Sequence, residues 1–375
     1  MLRILQVVNG VGWCGTKEQT YLITKELTLR GFEVHMALSF QYELMVEKLK
    51  DYGVKFHFFE NHNKVTRLNP LNYYRLWKII NKEGPFHIVI AVSPHAFDFV
   101  RVATSFIQRR PKIVAYKRTG KSSNILSNLL KYSAADRIVV VDKKTYEKLK
   151  EEGFYPNKLV YIPSGLDLYR FKVNDHASRL KMREKLGIHP KSKVFINVAN
   201  WDPRKGQPFL ISAFAKLKCP ECICLLVGLK TDVEVPEYAK RYGLEGRLIG
   251  LGYREDIPEL LNMADYFVFS SYLEGLAGSL LQAMACGKIV ISTLAGGIRD
   301  YLKDGENGFA VDIGDMEGFV DRLRKALSLS EEERKRLSEK AQRTAQVYSI
   351  KNTVDNYVEL FKELTDKTSA LQSTP

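Results

Sequence analysis

Long apolar runs are missing from this sequence. No run reaches the roughly 18 to 20 residues that a membrane-spanning helix requires, although 45% of the residues are hydrophobic and 27% are charged. The first residues, Met1 to Val8, contain Arg3 and no small-residue cleavage site, so we interpret them as a buried strand and not as a signal peptide. We therefore expect a cytoplasmic protein that touches a membrane only peripherally, on its cytoplasmic face.

Cysteine is scarce as well. The five cysteines are Cys14, Cys219, Cys222, Cys224 and Cys286. The spacing between Cys219 and Cys222 is C-x-x-C, but no second pair and no histidine cluster completes a zinc site. We expect free thiols at a strand edge in a reducing compartment.

Several nucleotide-binding and metal-binding motifs are also missing. The glycine-rich segment from Asn9 to Thr16 follows the first strand, yet it is not G-x-G-x-x-G and no Walker lysine follows. An NAD-dependent dehydrogenase is therefore disfavoured. The sequence has no D-x-D carboxylate pair, so we expect no metal ion and no cofactor. After the glycines, Thr16 to Gln19 has capping-box spacing and Gly31 signals the end of a helix.

Short β-branched runs alternate with amphipathic runs along the chain, which predicts parallel sheets covered by helices. Predicted strands are 2–8, 33–38, 54–59, 87–92, 112–116, 137–141, 158–162, 194–198, 223–227, 247–250, 266–270 and 288–292. The chain is 375 residues long, which favours two domains. We predict an α/β protein with Rossmann-like domains at 1–165 and 166–350, and a helix at 351–375 that packs on the first domain. Ligands in such sheets bind at the carboxyl ends of the strands, here in a cleft between the two domains.

Positive charge is concentrated in the first half. Residues 1–172 hold 28 Lys and Arg against 15 Asp and Glu, whereas residues 173–375 hold 29 against 28. A basic half predicts an anionic partner, either a membrane surface, a phosphorylated lipid or nucleic acid, or else only a solvated surface. No aromatic-rich basic motif supports a nucleic-acid partner.

Two segments of the second half have the chemistry of a diphosphate and sugar site. Arg204 and Lys205 precede a predicted helix, where two cations suit a diphosphate. Glu274 follows a strand among glycines and can accept hydrogen bonds from sugar hydroxyls, with Gln282 one turn into the next helix. Gly296 and Gly297 offer backbone N–H groups to phosphate oxygens.

The segment Ser270–Gly287, the Gly296-Gly297 pair and the tail Asp300–Gly308 together resemble the glycosyl transferases group 1 family. That family carries an acid-x7-acid signature within S-x-x-E-G-x-x-x-x-x-x-E-A-M-A-x-G. The resemblance implies the GT-B fold, with two Rossmann-like domains facing each other across a cleft and a C-terminal helix crossing back. It also implies a retaining transfer from a nucleotide-diphosphate sugar to a glycan or glycolipid acceptor, as in lipopolysaccharide or surface polysaccharide synthesis.

The resemblance also assigns residues to roles. The catalytic candidates are Lys205, Glu274 and His95. The donor-binding candidates are Gly15, Asn200, Arg204, Lys205, Gly228, Tyr253, Arg254, Glu274, Gly275, Leu276, Gly278, Gln282, Gly296 and Gly297. The acceptor-binding candidates are Trp13, Lys117, Arg118 and Lys121, ahead of an amphipathic segment at 125–132 that suits the inner membrane surface.

The sequence departs from the family pattern at three places. Where many members have a histidine after the fourth or fifth strand, this chain has Ala91 to His95 and Ala115 to Arg118, and His95 could line the cleft. Gln282 replaces the second signature acid, and Asn200 stands where the family has an arginine, whose charge Arg204 could supply. Two alternatives therefore remain open at this stage. One is a sugar-nucleotide epimerase of similar architecture, and the other is an inactive homologue that binds nucleotide sugars.

Overall fold

The computed structural model of this chain describes residues 2–117 and 125–372. They divide into two compact units. Unit 1 comprises Met1–Gly165 and Ile350–Pro375, and unit 2 comprises Leu166–Ser349. Each unit is built on one parallel sheet, so the predicted α/β class with two Rossmann-like domains is confirmed.

Unit 1 contains a seven-stranded sheet in the order β3-β2-β1-β4-β5-β6-β7. Its strands are β1 Arg3–Val7, β2 Glu33–Ser39, β3 Lys55–Glu60, β4 Ile88–Ala91, β5 Lys112–Tyr116, β6 Arg137–Val140 and β7 Leu159–Tyr161. Its helices are α1 Gly15–Leu29, α2 Glu43–Leu49, α3 Pro70–Glu83, α4 Pro94–Thr104, α5 Ile125–Tyr132, α6 Lys143–Glu151 and, at the end of the chain, α14 Ile350–Gln372. The strand order reverses between β1 and β4, which makes this point the topological switch of the sheet.

Unit 2 contains a six-stranded sheet in the order β10-β9-β8-β11-β12-β13, with its switch point between β8 and β11. Its strands are β8 Lys193–Val198, β9 Cys222–Val227, β10 Leu248–Gly250, β11 Tyr266–Phe269, β12 Ile289–Thr293 and β13 Phe309–Val311. Its helices are α7 His176–Lys185, α8 Gln207–Leu217, α9 Thr231–Tyr242, α10 Ile257–Met263, α11 Gly278–Ala285, α12 Met316–Ser328 and α13 Glu331–Val347.

The local sequence explains why these elements form. The strands in the middle of each sheet are apolar throughout because helices cover both faces, and all four residues of β4 are buried. Helix α3 begins where the Asn69 side chain accepts a hydrogen bond from the Leu71 N–H, with Pro70 in the first turn. Helix α13 begins with a complete capping box between Ser330 and Glu333.

Helix α14 belongs to unit 1 although it follows unit 2 in the sequence. Val354, Tyr357 and Phe361 are buried in the same apolar core as strands β1 and β2. Arg30 at the end of α1 pairs with Asp355 of α14 at 2.5 Å. Tertiary packing therefore holds the last helix on the first sheet.

One local prediction is wrong and one strand was missed. Helix α1 begins at Gly15 after Cys14, whose side chain makes no capping hydrogen bond, so the capping box predicted at Thr16 does not form. Strand β13 was not predicted, since its three residues are too short to give a periodic signal.

Candidate active site

The residues around Lys205 lie where strands β8 and β11 end, at the switch point of the unit 2 sheet. A 3-10 turn, Pro203–Lys205, follows β8 and is hydrogen-bonded to the residues that follow β11. The Ser270 hydroxyl donates to the Gly206 carbonyl at 2.9 Å, and the Tyr272 N–H donates to the Arg204 carbonyl at 2.8 Å. These bonds hold the Lys205 backbone beside the loop that carries Glu274.

Lys205 and Glu274 form an ion pair in this position. The distance from Lys205 Nζ to Glu274 Oε1 is 2.6 Å, and the Ser271 hydroxyl donates to the same oxygen at 2.5 Å. Their side chains are 27% and 8% exposed, respectively. No described residue donates to Glu274 Oε2, so this oxygen remains able to accept a hydrogen bond from a ligand. The ammonium group has two further N–H donors.

Glycine is required at two positions next to this pair. Gly206 has φ +65°, and a Cβ there would lie 2.3 Å from the Ser270 carbonyl oxygen. Gly296 has φ +54°, and a Cβ there would lie 1.9 Å from the Glu274 carbonyl oxygen. A Cβ at either position would collide with the backbone of Ser270 or Glu274, so only glycine fits here without a shift of these segments.

The Gly296-Gly297 pair is less open than the sequence suggested. The Gly297 N–H donates to the Gly275 carbonyl at 2.8 Å, so it is not a free donor for phosphate, which corrects the prediction for this group. No backbone partner is found for the Gly296 N–H among the described residues. It lies at the start of a 3-10 helix, Gly296–Asp300, that follows β12.

The Arg204 guanidinium pairs with a neighbouring acid in the structure, and its role in place of the family arginine stays a prediction. Its guanidinium binds the Asp202 carboxylate through two hydrogen bonds of 2.8 and 2.7 Å. This pairing lowers the pKa of Asp202 and raises the pKa of Arg204. Asn200 holds the neighbouring loop, because its side-chain oxygen accepts the Leu229 N–H at 3.0 Å.

The remaining donor-binding candidates lie at the same edge of the sheet. The Gly228 N–H donates to the Gly252 carbonyl at 2.8 Å, which joins the ends of β9 and β10. Tyr253 follows and is 53% exposed, while Arg254 is bound to Asp256 through two hydrogen bonds. After β11, Gly275 and the buried Leu276 lead into Gly278, the first residue of α11, and Gln282 lies half-buried on that helix.

Sequence reasoning missed Tyr301. Its buried hydroxyl donates to the Leu276 carbonyl at 3.0 Å and lies 3.5 Å from the Ala277 carbonyl. Ala277 has φ +53°, a left-handed conformation that is rare outside glycine. Burial raises the pKa of Tyr301. The phenol therefore supports the backbone of the loop that follows Glu274, and no short motif signals this role.

In unit 1, Asn9 and Ser93 follow the two strands at the switch point. The Ser93 hydroxyl donates to Asn9 Oδ1 at 2.5 Å, and Ser93 also caps α4.

The predicted site residues of unit 1 lie near these strand ends. His95 is in the first turn of α4 and is largely exposed, and both the partial burial of its ring and the charge of Arg67 lower its pKa. Gly15 is the first residue of α1. The Trp13 indole donates to the Glu18 carboxylate at 2.9 Å.

A buried carboxylate, Glu60, was also missed. It is the last residue of β3 and accepts hydrogen bonds from the Gly10 N–H at 2.7 Å, the Ser39 hydroxyl at 2.5 Å and the Thr66 hydroxyl at 2.9 Å. Burial alone would raise the pKa of Glu60, but these hydrogen bonds outweigh it and lower the pKa. Glu60 therefore fixes the glycine-rich loop after β1.

Lys117 is buried, with only 6% of its surface exposed. Its ammonium lies 5.6 and 5.3 Å from the ring centres of Tyr132 and Phe154, and burial lowers its pKa. Its role in acceptor binding stays a prediction. Arg118 and Lys121 lie outside the described residues.

The cysteine prediction is wrong for one pair. Cys219 and Cys222 form a disulfide at the start of β9, whereas Cys14, Cys224 and Cys286 are free. Across residues 2–117 and 125–372, no group of three or more His, Cys, Asp or Glu side chains could hold a metal ion. Within the same residues, no helix is long and apolar enough to cross a membrane.

Family comparisons agree with this geometry. Residues 178–344 match the model of glycosyl transferases group 1, and residues 14–170 match that of glycosyltransferase family 4. Together the two matches span most of the chain. The protein is therefore an enzyme of the glycosyltransferase class with the GT-B fold. Residues 178–344 carry the glycosyl transferases group 1 domain, as the motifs in that part of the chain predicted.

Individual relatives support the same assignment. N-acetyl-alpha-D-glucosaminyl L-malate synthase of Bacillus anthracis is 26% identical over 89% of this chain and 88% of the relative. UDP-Gal:alpha-D-GlcNAc-diphosphoundecaprenol alpha-1,3-galactosyltransferase of Escherichia coli is 30% identical over 47% of this chain and 46% of the relative. The crystal structure of HepE of Anabaena, in complex with UDP and glucose, has a TM-score of 0.83 and 22% identity, covering 97% of this chain and 100% of HepE.

Proposed function

We propose that this enzyme is a retaining, metal-independent glycosyltransferase that moves a sugar from a nucleotide-diphosphate donor to a glycan or glycolipid acceptor. In this proposal unit 2 binds the donor and unit 1 binds the acceptor. The observation that carries it is the Lys205–Glu274 pair at the switch point of the unit 2 sheet, where a ligand of such a sheet is expected.

Lys205 and Glu274 suit the two groups that the breaking bond joins, which are the diphosphate and the sugar. As the sugar–phosphate bond lengthens, the sugar becomes oxocarbenium-like and negative charge grows on the diphosphate. The Lys205 ammonium and the Gly296 N–H stabilise that charge without reorganising, as preorganised donors do. Glu274 Oε2 accepts a hydrogen bond from a sugar hydroxyl. The acceptor oxygen bonds to the anomeric carbon as the bond to phosphate breaks, and the leaving phosphate takes the proton of the acceptor hydroxyl.

Relatives support the choice of substrates. HepE was crystallised with UDP and glucose, and the Escherichia coli relative is named for a UDP-galactose donor and a diphosphoundecaprenol-linked acceptor. The excess of Lys and Arg in residues 1–172 suits an anionic, lipid-linked acceptor of lipopolysaccharide or surface polysaccharide synthesis. The enzyme then works peripherally at the cytoplasmic face of the inner membrane.

The decisive experiment is a donor panel. The protein is incubated with UDP, GDP, ADP and CMP sugars, and release of free nucleotide is measured with and without lipid-linked acceptors. We expect release from one class of nucleoside diphosphate sugar, and NMR of the product should show a retained anomeric configuration. Binding without release would favour an inactive homologue, and an inverted product would overturn the retaining mechanism.

A further inference from the structure

Unit 1 exposes several large apolar side chains on helix α3 and in the residues that flank α3 and α4. Leu68, Leu71, Tyr74 and Phe106 are 81%, 55%, 56% and 74% exposed, and Trp77 is half-buried beside them. We call these five residues the α3–α4 surface. Single exposed apolar residues are common, but a group on two packed helices marks an interaction site.

A groove runs through this surface. Its volume is about 410 Å³. Its lining is almost entirely apolar and consists of Tyr73, Tyr74, Trp77, Val102, Ala103 and Phe106. The Tyr74 and Trp77 rings stack with their centres 5.7 Å apart. The indole N–H of Trp77 has no hydrogen-bond partner among the described residues.

Helix α3 presents this surface because its two faces differ. Leu76 and Ile80 are buried in the core of unit 1, while Leu71 and Tyr74 point away from that core and are exposed. A helix whose outer face meets only water does not need large apolar side chains such as Leu71 and Tyr74 on that face. The outer face of α3 therefore carries exposed apolar side chains that burial within unit 1 does not require.

The segment that carries the α3–α4 surface is rich in positive charge. Residues 61–110 contain eight Lys and Arg and only two Asp and Glu. Lys78, Lys82 and Arg101 are exposed on the same two helices. Of the two acids, Asp98 is already neutralised by Lys131 at 2.7 Å. Exposed aromatic rings flanked by basic side chains are the arrangement that interfacial proteins use on anionic lipids.

We propose that the α3–α4 surface docks the enzyme on an anionic lipid bilayer, with Tyr74 and Phe106 inserted among the headgroups and the lysines facing the lipid phosphates. This inference rests on the proposed use of a lipid-linked acceptor and adds the surface that brings the enzyme to it. It places the contact on α3 and α4, whereas the sequence suggested residues 117–132.

The test is co-sedimentation of the full chain with vesicles of phosphatidylcholine alone and of phosphatidylcholine mixed with phosphatidylglycerol. We expect binding to the mixed vesicles that falls as salt rises, because screening weakens the charge attraction. The double variant Tyr74→Ser/Phe106→Ser should bind about tenfold less. Lys78→Gln/Lys82→Gln should lose binding at moderate salt. Equal binding of wild type and variants, or no binding of the wild type, would overturn the proposal.

A matched control is Val233→Ser on α9 of unit 2, which removes a side chain that is 72% exposed and should leave vesicle binding unchanged. Nucleotide-sugar binding without vesicles should be the same in all variants, which shows that they are folded. If instead the Tyr74→Ser/Phe106→Ser pair abolishes a concentration-dependent dimer and vesicles do not bind, the surface contacts a second copy and the lipid proposal fails. A wild type that binds vesicles but turns over no donor would contradict the proposed function alone.

Discussion

Lys205 Nζ lies 2.6 Å from Glu274 Oε1, although the two residues are 69 positions apart in the sequence. The pair joins the residues after β8 to those after β11, the two neighbouring strands at the switch point of unit 2. Each side chain thus compensates the charge of the other in the unliganded enzyme. In the proposed complex, a hydroxyl of the donor sugar binds Glu274 and the negatively charged diphosphate binds Lys205.

Replacing Lys205 tests this relationship directly. Lys205→Ala should lower kcat with the preferred donor by about two to three orders of magnitude, the usual cost of removing one donor that stabilises a developing anion. The measurement is steady-state release of nucleotide. Lys216→Ala is the matched control, because Lys216 lies exposed on α8 and pairs with Glu317. Unchanged turnover in Lys205→Ala would remove this residue from the mechanism.

Tyr301 should act on donor affinity through the loop that it supports. Tyr301→Phe keeps the ring but removes the hydrogen bond to the Leu276 carbonyl, which costs about 1 kcal/mol of local stability. We expect a several-fold higher KM for the donor with a smaller change in kcat. Tyr348→Phe is the control, since its ring packs against Tyr301 while its hydroxyl has no hydrogen-bond partner among the described residues. A loss of kcat alone would contradict a positioning role.

Metal independence can be checked without any substitution. Because Lys205 and backbone N–H groups are proposed to stabilise the leaving diphosphate, nucleotide release should be the same in excess EDTA as in added magnesium. The measurement compares initial rates after dialysis against the chelator. Activity that disappears in EDTA and returns with a divalent ion would mean that a metal carries the charge.

Acid should destabilise unit 1 through a pair of histidines on strands β2 and β3, at one edge of its sheet. His35 Nδ1 lies 2.9 Å from His57 Nε2, and His35 Nε2 lies 3.0 Å from the Glu33 carboxylate. Burial lowers the pKa of both histidines, and Lys55 with His35 lowers the pKa of Glu33 to about 2. The nearby charges are those of Glu33, Arg3, Lys55 and Glu83.

The sign follows from proton uptake. An unfolded histidine binds a proton below about pH 6.5, whereas the folded pair resists protonation. The contribution of the pair to the free energy of unfolding is therefore largest above that pH and decreases as the pH falls below it. Urea titrations at neutral and mildly acidic pH should show this decrease in wild type and a smaller one in His35→Gln. His176→Gln, at an exposed histidine of α7, is the control. Equal pH dependence in wild type and His35→Gln would show that the pair does not contribute.

Much of the fold and part of the site were predictable from sequence. Apolar runs of four to seven residues placed twelve of the thirteen strands, since burial on both faces demands such runs. The residues after those runs identified Lys205 and Glu274 as neighbours in function. Prediction failed where a residue acts through a distant backbone group, as Tyr301 and Glu60 do, because no local pattern encodes that partner.

The sequence by itself determined the α/β class, the glycines at the strand ends and the residue types that face a ligand, because each depends on burial or backbone freedom over a few positions. Only the tertiary structure decided the strand order, and strand order puts Lys205 beside Glu274 and directs the Gly297 N–H to Gly275. Hydrogen bonds and ion pairs reach only about 3 Å. Which groups satisfy them is therefore set by the packing of segments far apart in the chain.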